Sequence, residues 1–383
     1  MRFTQTKQGF VVFLKGQYYV VNELTFKLLK MYHEKKSIAV IAETLKIEED
    51  QVQCLYNEIS DQLTEVQEFT EEIEFLEPLK VQWKITNQCN IRCKHCYEGE
   101  KCAKQLSEEQ ISAIFEKLLD SHIQQLSITG GEALLVKNLA GHVRKCLEKG
   151  IMVNIFTNGI LLNKFVDELG EITNRKLLTF QISVDGSQNE HNYIRGIGNF
   201  EKTTSNIRYA IKKGYKIITN TVVNGITRRS IIPMMKELHD MGVSTIQLSN
   251  LMLKGWANDN KDELYISKEE LNNLYKEISY NIDFPFFFAD ISNTVYKADG
   301  AGGLKKEGKN TWKCCAGEAR ITIDFNGDVL LCPLCPNYTI GNLTEMSLSK
   351  IWDNPLKKDY IDQLRSLNKG KQTCFIYDQD IKK

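Results

Sequence analysis

Three cysteines stand within eight residues, in the run Cys89-Asn-Ile-Arg-Cys93-Lys-His-Cys96. Thiolates suit soft metal centres, and three of them can grip three irons of a [4Fe–4S] cube. Ordinary cubes take four cysteines, so this triad leaves one iron open to a small chelating molecule. The competing reading is a zinc loop or structural cluster with Cys102 as fourth ligand, although zinc usually uses cysteine pairs spaced by two residues. Five more cysteines, Cys314, Cys315, Cys332, Cys335 and Cys374, lie towards the other end of the 383-residue chain. Four of these can enclose a second cluster, or alternatively hold Zn²⁺. Cys54 and Cys146 fall in helical patterns and read as small core residues. The total of eleven is odd, which speaks for metal ligation and against a disulfide framework.

Four polar motifs follow apolar stretches in a regular series. The strand candidates are Val81–Thr86, Gln125–Thr129, Met152–Phe156, Thr179–Val184, Ile217–Val223 and Thr245–Leu248. Helical patterns separate them at Ser107–Ser121, Val136–Lys149, Leu161–Leu169, Phe200–Lys213 and Ser230–Met241, the first opened by a Ser107–Gln110 capping box. Strands alternating with crossover helices predict an α/β fold with a parallel sheet, here a partial (βα)6 TIM-like barrel. Chemistry in such sheets lies beyond the carboxyl ends of the strands. The cysteine triad, Gly130-Gly131-Glu132, Thr157-Asn158-Gly159 and Asp185-Gly186 follow the first four strands in turn. Two glycines allow close backbone approach, and the Glu132 carboxylate suits an ammonium. Thr157-Asn158-Gly159 reads equally as a strand-to-helix turn.

Lys plus Arg and Asp plus Glu both number 49, so a zero net charge offers no electrostatic reason to expect nucleic acid or an anionic membrane. No run of about 18 apolar residues occurs, and the start lacks a signal-peptide pattern, so a soluble cytoplasmic protein is expected. Residues 1–75 read as a separate winged-helix-like unit. It has a hairpin, Gly9–Leu14 and Gln17–Val21 about Lys15-Gly16, then helices at Glu23–Tyr32, Ile38–Leu45 and Glu49–Thr64. The last of these contains no Lys or Arg, which argues against DNA recognition. The acidic stretch Glu65–Glu77 reads as a linker. Asp262–Asp283 is predicted as one helical excursion, Phe284–Phe288 as buried packing, Lys297–Asn310 as a mobile loop, and Ile321–Leu331 as strand–turn–strand around Asn326-Gly327.

Over residues 79 to about 255 the chain resembles the radical S-adenosylmethionine (radical SAM) superfamily, whose cysteine spacing the triad shares, with His95 before the last cysteine. The resemblance implies that the open iron chelates the amino and carboxylate groups of S-adenosylmethionine, which is cleaved reductively to a 5′-deoxyadenosyl radical. It assigns Gly130, Gly131 and Glu132 to the methionyl amino group, and Ser183 and Arg195 to the carboxylate. Asp185 would lie near the ribose, Tyr97 would flank adenine, and Asn158 would join the cofactor site. The spacing Cys315-x11-Gly327-x4-Cys332 resembles the opening of SPASM and twitch domains. With five cysteines, the one-cluster twitch form is implied, holding one auxiliary [4Fe–4S] cluster through Cys332, Cys335, Cys374 and either of the adjacent Cys314 and Cys315, with Cys315 preferred. Tyr18–Leu63 resembles the PqqD-like RiPP recognition element, which binds a leader peptide by strand addition. Three domains are therefore expected: 1–75 for leader capture, 79–295 for radical generation, and 296–383 for the auxiliary cluster. The implied activity is cross-linking of a ribosomally made precursor peptide, a thioether before a carbon–carbon or carbon–oxygen link. A reductant such as flavodoxin or ferredoxin would supply electrons. The alternatives are a small-molecule dehydrogenase or cofactor-biosynthesis enzyme, and a zinc-binding winged-helix regulator.

Overall fold

The computed structural model describes residues 2–6, 9–14, 17–65, 75–101, 105–289, 295–298, 304–307 and 317–368. Cys102, Cys314, Cys315, Cys374 and most of the expected acidic linker lie outside them. The chain divides into two compact units, Met1–Leu79 and Lys80–Lys383.

The first unit is an antiparallel sheet of β1 (Arg2–Thr6), β2 (Gly9–Leu14) and β3 (Gln17–Val21), followed by α1 (Glu23–His33), α2 (Ile38–Leu45) and α3 (Glu49–Glu65). The hairpin and the helices fall where the periodicity placed them. β1 was not foreseen, because Arg-Phe-Thr-Gln-Thr carries a single large apolar residue and becomes a strand only by pairing with β2. Asn22 caps α1 by accepting from Thr25 N at 2.8 Å. Val12, Leu28, Leu29, Ile41 and Val52 form the buried core.

The second unit is built on one ten-stranded sheet. Its parallel part runs β4 (Lys80–Thr86), α4 (Glu108–Leu119), β5 (Gln125–Gly130), α5 (Leu139–Glu148), β6 (Met152–Thr157), α6 (Leu162–Leu169) and β7 (Leu178–Ser183). It continues with α7 (Gln188–Arg195), α8 (Asn199–Lys212), β8 (Lys216–Val223), α9 (Ile231–Asp240) and β9 (Thr245–Asn250). The predicted capping box at Ser107 is present. Along each strand, burial alternates. Leu126, Ile128, Val153, Ile155, Phe180, Ile182 and Ile217 are fully buried, each such side chain contributing about 1.5–3 kcal/mol. The intervening residues, among them Gln82, Lys84, Ser127, Asn154, Gln181, Ser183, Asn220 and Gln247, are half-buried on the opposite, concave face.

Beyond β9 the chain departs from expectation. A short helix not foreseen, α10 (Trp256–Asp259), comes first, and the expected excursion Asp262–Asp283 is broken into α11 (Lys261–Leu264) and α12 (Lys268–Asn281), the last opened by a capping box at Ser267. The aromatic run ends in β10 (Phe287–Ala289), a seventh parallel strand paired with β9, and Phe287 is exposed. β11 (Val295–Ala298), which runs into the expected loop Lys297–Asn310, and β12 (Leu304–Glu307) within it pair as an antiparallel ladder, and Val295 and Tyr296 favour extended backbone. β13 (Arg320–Ile323) then lies parallel to β4, and β14 (Asp328–Leu330) and β15 (Thr339–Asn342) extend the sheet. The C-terminal strands thus cover the edge of β4 that would otherwise be open. Helices α13 (Leu348–Trp352) and α14 (Leu356–Asn368) follow. Among the described residues, no helix is long and apolar enough to cross a membrane.

Candidate metal centre

The loop carrying the cysteine triad is fixed by backbone contacts on both sides. As it leaves β4, Thr86 O accepts from Gly131 N at 2.8 Å and Gln88 O from Glu132 N at 2.7 Å. A Cβ on Gly130 would stand 2.3 Å from Thr86 O, and one on Gly131 2.1 Å from Gln88 O. Both positions therefore require glycine, and the close approach they permit is to the cysteine loop itself. On the other side, a Cβ on Gly255 would stand 2.5 Å from Gly99 N and 2.9 Å from Cys96 O. Asn260 Nδ2 donates to Lys94 O at 3.1 Å, and Lys94 pairs with Glu263 at 2.8 Å. Trp256 Nε1 donates to Glu100 at 3.2 Å. Sequence reasoning missed this outer clamp. Its only signal was the Gly255-Trp256 pair.

Cys89, Cys93 and Cys96 share one electrostatic neighbourhood. Burial pushes the Cys93 thiol up to about 12 and raises Cys89 as well, so neither ionises readily without a cation bonded to sulfur. A cube takes one thiolate per iron, so its ligands need not converge on a point. Among the described residues, no three His, Cys, Asp or Glu side chains do so. The donor set and its burial fit a cluster.

Behind the triad sits a buried charge network. Arg195 is the last residue of α7, a helix the apolar periodicity did not predict, and it is buried, not solvated in a loop. Its Nε donates to Asp185 Oδ2 at 2.5 Å, and His95 Nε2 lies 2.9 Å from the same oxygen. Val222 N donates to Asp185 Oδ1 at 2.9 Å. Burial opposes the charge on Asp185, but Arg195 and His95 outweigh it and hold the carboxyl well below the usual carboxylate range. The guanidinium also reaches Cys93 Sγ at 3.7 Å. Asp185 and Arg195 are thus brought together beside the triad. Ser183 ends β7 half-buried on the concave face, and Tyr97 is 42% exposed.

Glu132 is completely buried. Its carboxylate accepts from Thr157 Oγ1 at 2.7 Å, Leu134 N at 3.0 Å and Asn158 N at 2.8 Å. Asn158 Nδ2 in turn donates to Asn90 Oδ1 at 2.8 Å, inside the cysteine loop. The Thr157-Asn158-Gly159 turn therefore ties Glu132 and the loop together, and one lone-pair site of the carboxylate is left over.

His191 supplies a pH-dependent element. Its Nδ1 accepts from Asp185 N at 3.2 Å, and burial together with Arg195 pushes it down to about 3. The folded state then binds fewer protons than the unfolded chain between about pH 6.5 and pH 3, so stability is lost as pH is lowered through that window, by up to about 1.4 kcal/mol per unit. Urea unfolding of the wild type at pH 7.0 and 5.0 should show this slope. His142 is also held low by burial and adds to the same slope, so His191→Gln, which retains an acceptor, should reduce it; an unchanged slope would assign it elsewhere.

Farther along, Cys332 and Cys335 adjoin one another, Cys335 N donating to Cys332 O at 3.2 Å. A hydrogen bond from the Cys335 side chain draws the Cys332 thiol down to about 6. Lys84 on β4 joins this region to the triad loop, pairing with Glu98 at 3.0 Å and with Asp324, in the turn between β13 and β14, at 2.9 Å. That link too was invisible in the sequence.

Residues 83–238 match the radical SAM superfamily, and residues 314–375 match the SPASM iron–sulfur cluster-binding domain. The chain carries a radical SAM domain and a SPASM domain. The first takes in Cys89, Cys93 and Cys96, and the second all five C-terminal cysteines. The cofactors these two domains imply are a [4Fe–4S] cluster with S-adenosylmethionine and an auxiliary iron–sulfur cluster. Among curated relatives, the sporulation killing factor maturation protein SkfB of Bacillus subtilis is 26% identical over 51% of this chain and 48% of that protein. The antilisterial bacteriocin subtilosin biosynthesis protein AlbA, also of Bacillus subtilis, is 26% identical over 74% of this chain and 61% of that protein. The chain thus spans about half of SkfB and three fifths of AlbA. Crystal structures of Streptococcus suis SuiB share this fold, with a TM-score of 0.64 at 16% identity over 94% of this chain and 89% of that one. SuiB has been crystallised with S-adenosylmethionine and with its precursor peptide SuiA.

Proposed function

We infer that this radical SAM protein modifies a ribosomally made precursor peptide, installing an intramolecular cross-link. The observation that carries the reading is the concave face of the parallel sheet. Gln82, Asn154, Gln181, Asn220 and Gln247 give it a lining of carboxamides. Asn154 Nδ2 donates to Gln181 and Asn220 Nδ2 to Ser249, which leaves Asn154 Oδ1 and Asn220 Oδ1 buried and without partners among the described residues. Buried acceptors without donors are costly, and a substrate rich in N–H groups would satisfy them. A peptide main chain is such a substrate. The maturation and biosynthesis roles of SkfB and AlbA, and the peptide bound to SuiB, support the same class.

When bound, the open cluster and S-adenosylmethionine would supply a 5′-deoxyadenosyl radical able to take a substrate hydrogen. The chain's own residues would hold and shield that chemistry. Cys89, Cys93 and Cys96 would ligate three irons, and the buried Asp185–Arg195 pair would place a cationic donor on Cys93. Ser183 and the Gly130-Gly131-Glu132 backbone would flank the methionyl group, with Asn158 and Tyr97 at the rim. Cys315, Cys332, Cys335 and Cys374 would hold the auxiliary cluster in residues 296–383. Residues 1–75, a PqqD-like recognition element in this reading, would pair the leader with an outer strand of the small sheet. A thioether is the bond favoured, and a flavodoxin- or ferredoxin-like protein in the cytoplasm the electron source.

Deleting residues 1–75 tests the division of labour. Anaerobically reconstituted truncated protein should still form 5′-deoxyadenosine from S-adenosylmethionine, yet convert leader-bearing precursor peptide at least about tenfold more slowly, read by mass spectrometry. Undiminished conversion would refute leader capture. Absence of 5′-deoxyadenosine from the reconstituted full chain would refute the radical reading.

A further inference from the structure

The triad is served by two cations, and they are not equivalent. Arg195 reaches Cys93 Sγ, but its charge is matched by Asp185 at 2.5 Å. Lys101 reaches Cys96 Sγ with its Nζ at 3.6 Å, and among the described residues no carboxylate pairs with it. The ammonium is held on that side by aromatic packing. Lys101 Nζ lies 5.7 Å from the centre of the Trp256 ring, and Arg92 stacks over the same ring at 4.3 Å. The ring is itself pinned by its Nε1 bond to Glu100 and is 8% exposed. Glu100 also takes Arg92 at 3.4 Å, so this neighbouring acid is engaged by the arginine and the indole and not by the lysine.

We propose that Lys101 sets the reduction potential of the radical SAM cluster by donating a charge-assisted N–H···S bond to Cys96. Reduction adds one electron from an external one-electron donor to the cube, with no bond made or broken and no proton transferred. Three thiolates make that addition unfavourable, and an unbalanced cation against one ligand sulfur lowers its cost. Lys101 also acts electrostatically on Cys89, so its charge is felt by more than one ligand. Trp256 acts as its positioning residue.

The test is a redox titration of anaerobically reconstituted full-length protein, using dithionite and mediators and following the EPR signal that changes when S-adenosylmethionine is added. Lys101→Met should move that midpoint to more negative potential, so that severalfold less cluster is reduced at a poise near the wild-type midpoint. Lys101→Arg, which keeps charge and donor, should stay near the wild type. Lys101→Gln, a donor without charge, should fall between. An unchanged midpoint in Lys101→Met with full iron content would overturn the proposal, as would equal shifts in the Met and Arg variants. Loss of iron from both neutral variants but not from Lys101→Arg would also overturn it, assigning the lysine to assembly. Wild-type protein that gives no signal sensitive to S-adenosylmethionine would instead count against the cofactor assignment itself.

Discussion

Asp185→Asn is expected to destabilise the second unit by about 3–5 kcal/mol, the range seen when one partner of a buried ion pair is removed. Asp185 is fully buried, and its two oxygens take Arg195, His95 and the backbone N–H of Val222. An asparagine of the same shape keeps one acceptor but leaves the buried Arg195 guanidinium without its counter-charge and turns an amide donor towards other donors. Because the folded carboxyl is held low, its contribution is complete above the unfolded value of about 3.9 and is lost only as pH falls through the lower folded value. The deficit should therefore be present in full at pH 7. Urea denaturation followed by circular dichroism measures it. A companion variant, Asp185→Leu with Arg195→Met, should recover much of the loss, since no charge is then stranded. If the single substitution costs under about 1 kcal/mol, the network is a surface-grade pair and its place behind Cys93 has no energetic meaning.

The contrast between what was and was not legible follows from range of interaction. β4 to β9 were readable because helices cover one face and impose alternating burial that the sequence repeats. The triad stood out as a candidate because ligation of a cluster would be a local demand on spacing. By contrast, α7 reads Gln-Asn-Glu-His-Asn-Tyr-Ile-Arg, and its buried positions are His191, Ile194 and Arg195. Two of those three are polar, so no apolar stripe marks the helix. It exists to carry His191 and Arg195 to Asp185. The Gly255–Trp256–Asn260 clamp and the Lys84 pairing join residues far apart in the chain, and a backbone approach of that kind leaves no periodic trace. Glu132 shows the subtler case: the motif was recognised, but its carboxylate is engaged by Thr157, Leu134 and Asn158, which only the folded arrangement of neighbouring strand ends reveals.

Gly131→Ala should abolish stable cluster binding while leaving most of the fold intact. The added methyl would meet Gln88 O at 2.1 Å and Gln88 C at 2.6 Å, and both are backbone atoms that no rotamer change can move aside. Relief requires the loop to shift by about an ångström immediately before Cys89, and a shift of that size at a ligand is incompatible with iron–thiolate bonding. It also lengthens the bond from Glu132 N to Gln88 O, which is 2.7 Å in the native loop. Overpacking of this kind costs about 1–3 kcal/mol, too little to unfold a unit of 304 residues, so the damage should appear at the metal first. Gly150→Ala is the control. Gly150 has a φ of +78° but nothing within 4 Å of its virtual Cβ, so it bears backbone strain of about 1 kcal/mol without touching the loop. After identical reconstitution, iron and sulfide per chain and the visible absorbance should be near wild type for Gly150→Ala. Gly131→Ala should retain only the auxiliary share and form no 5′-deoxyadenosine. Full iron content in Gly131→Ala would mean that the loop yields to the methyl and that the glycine pair serves a ligand at its other face instead.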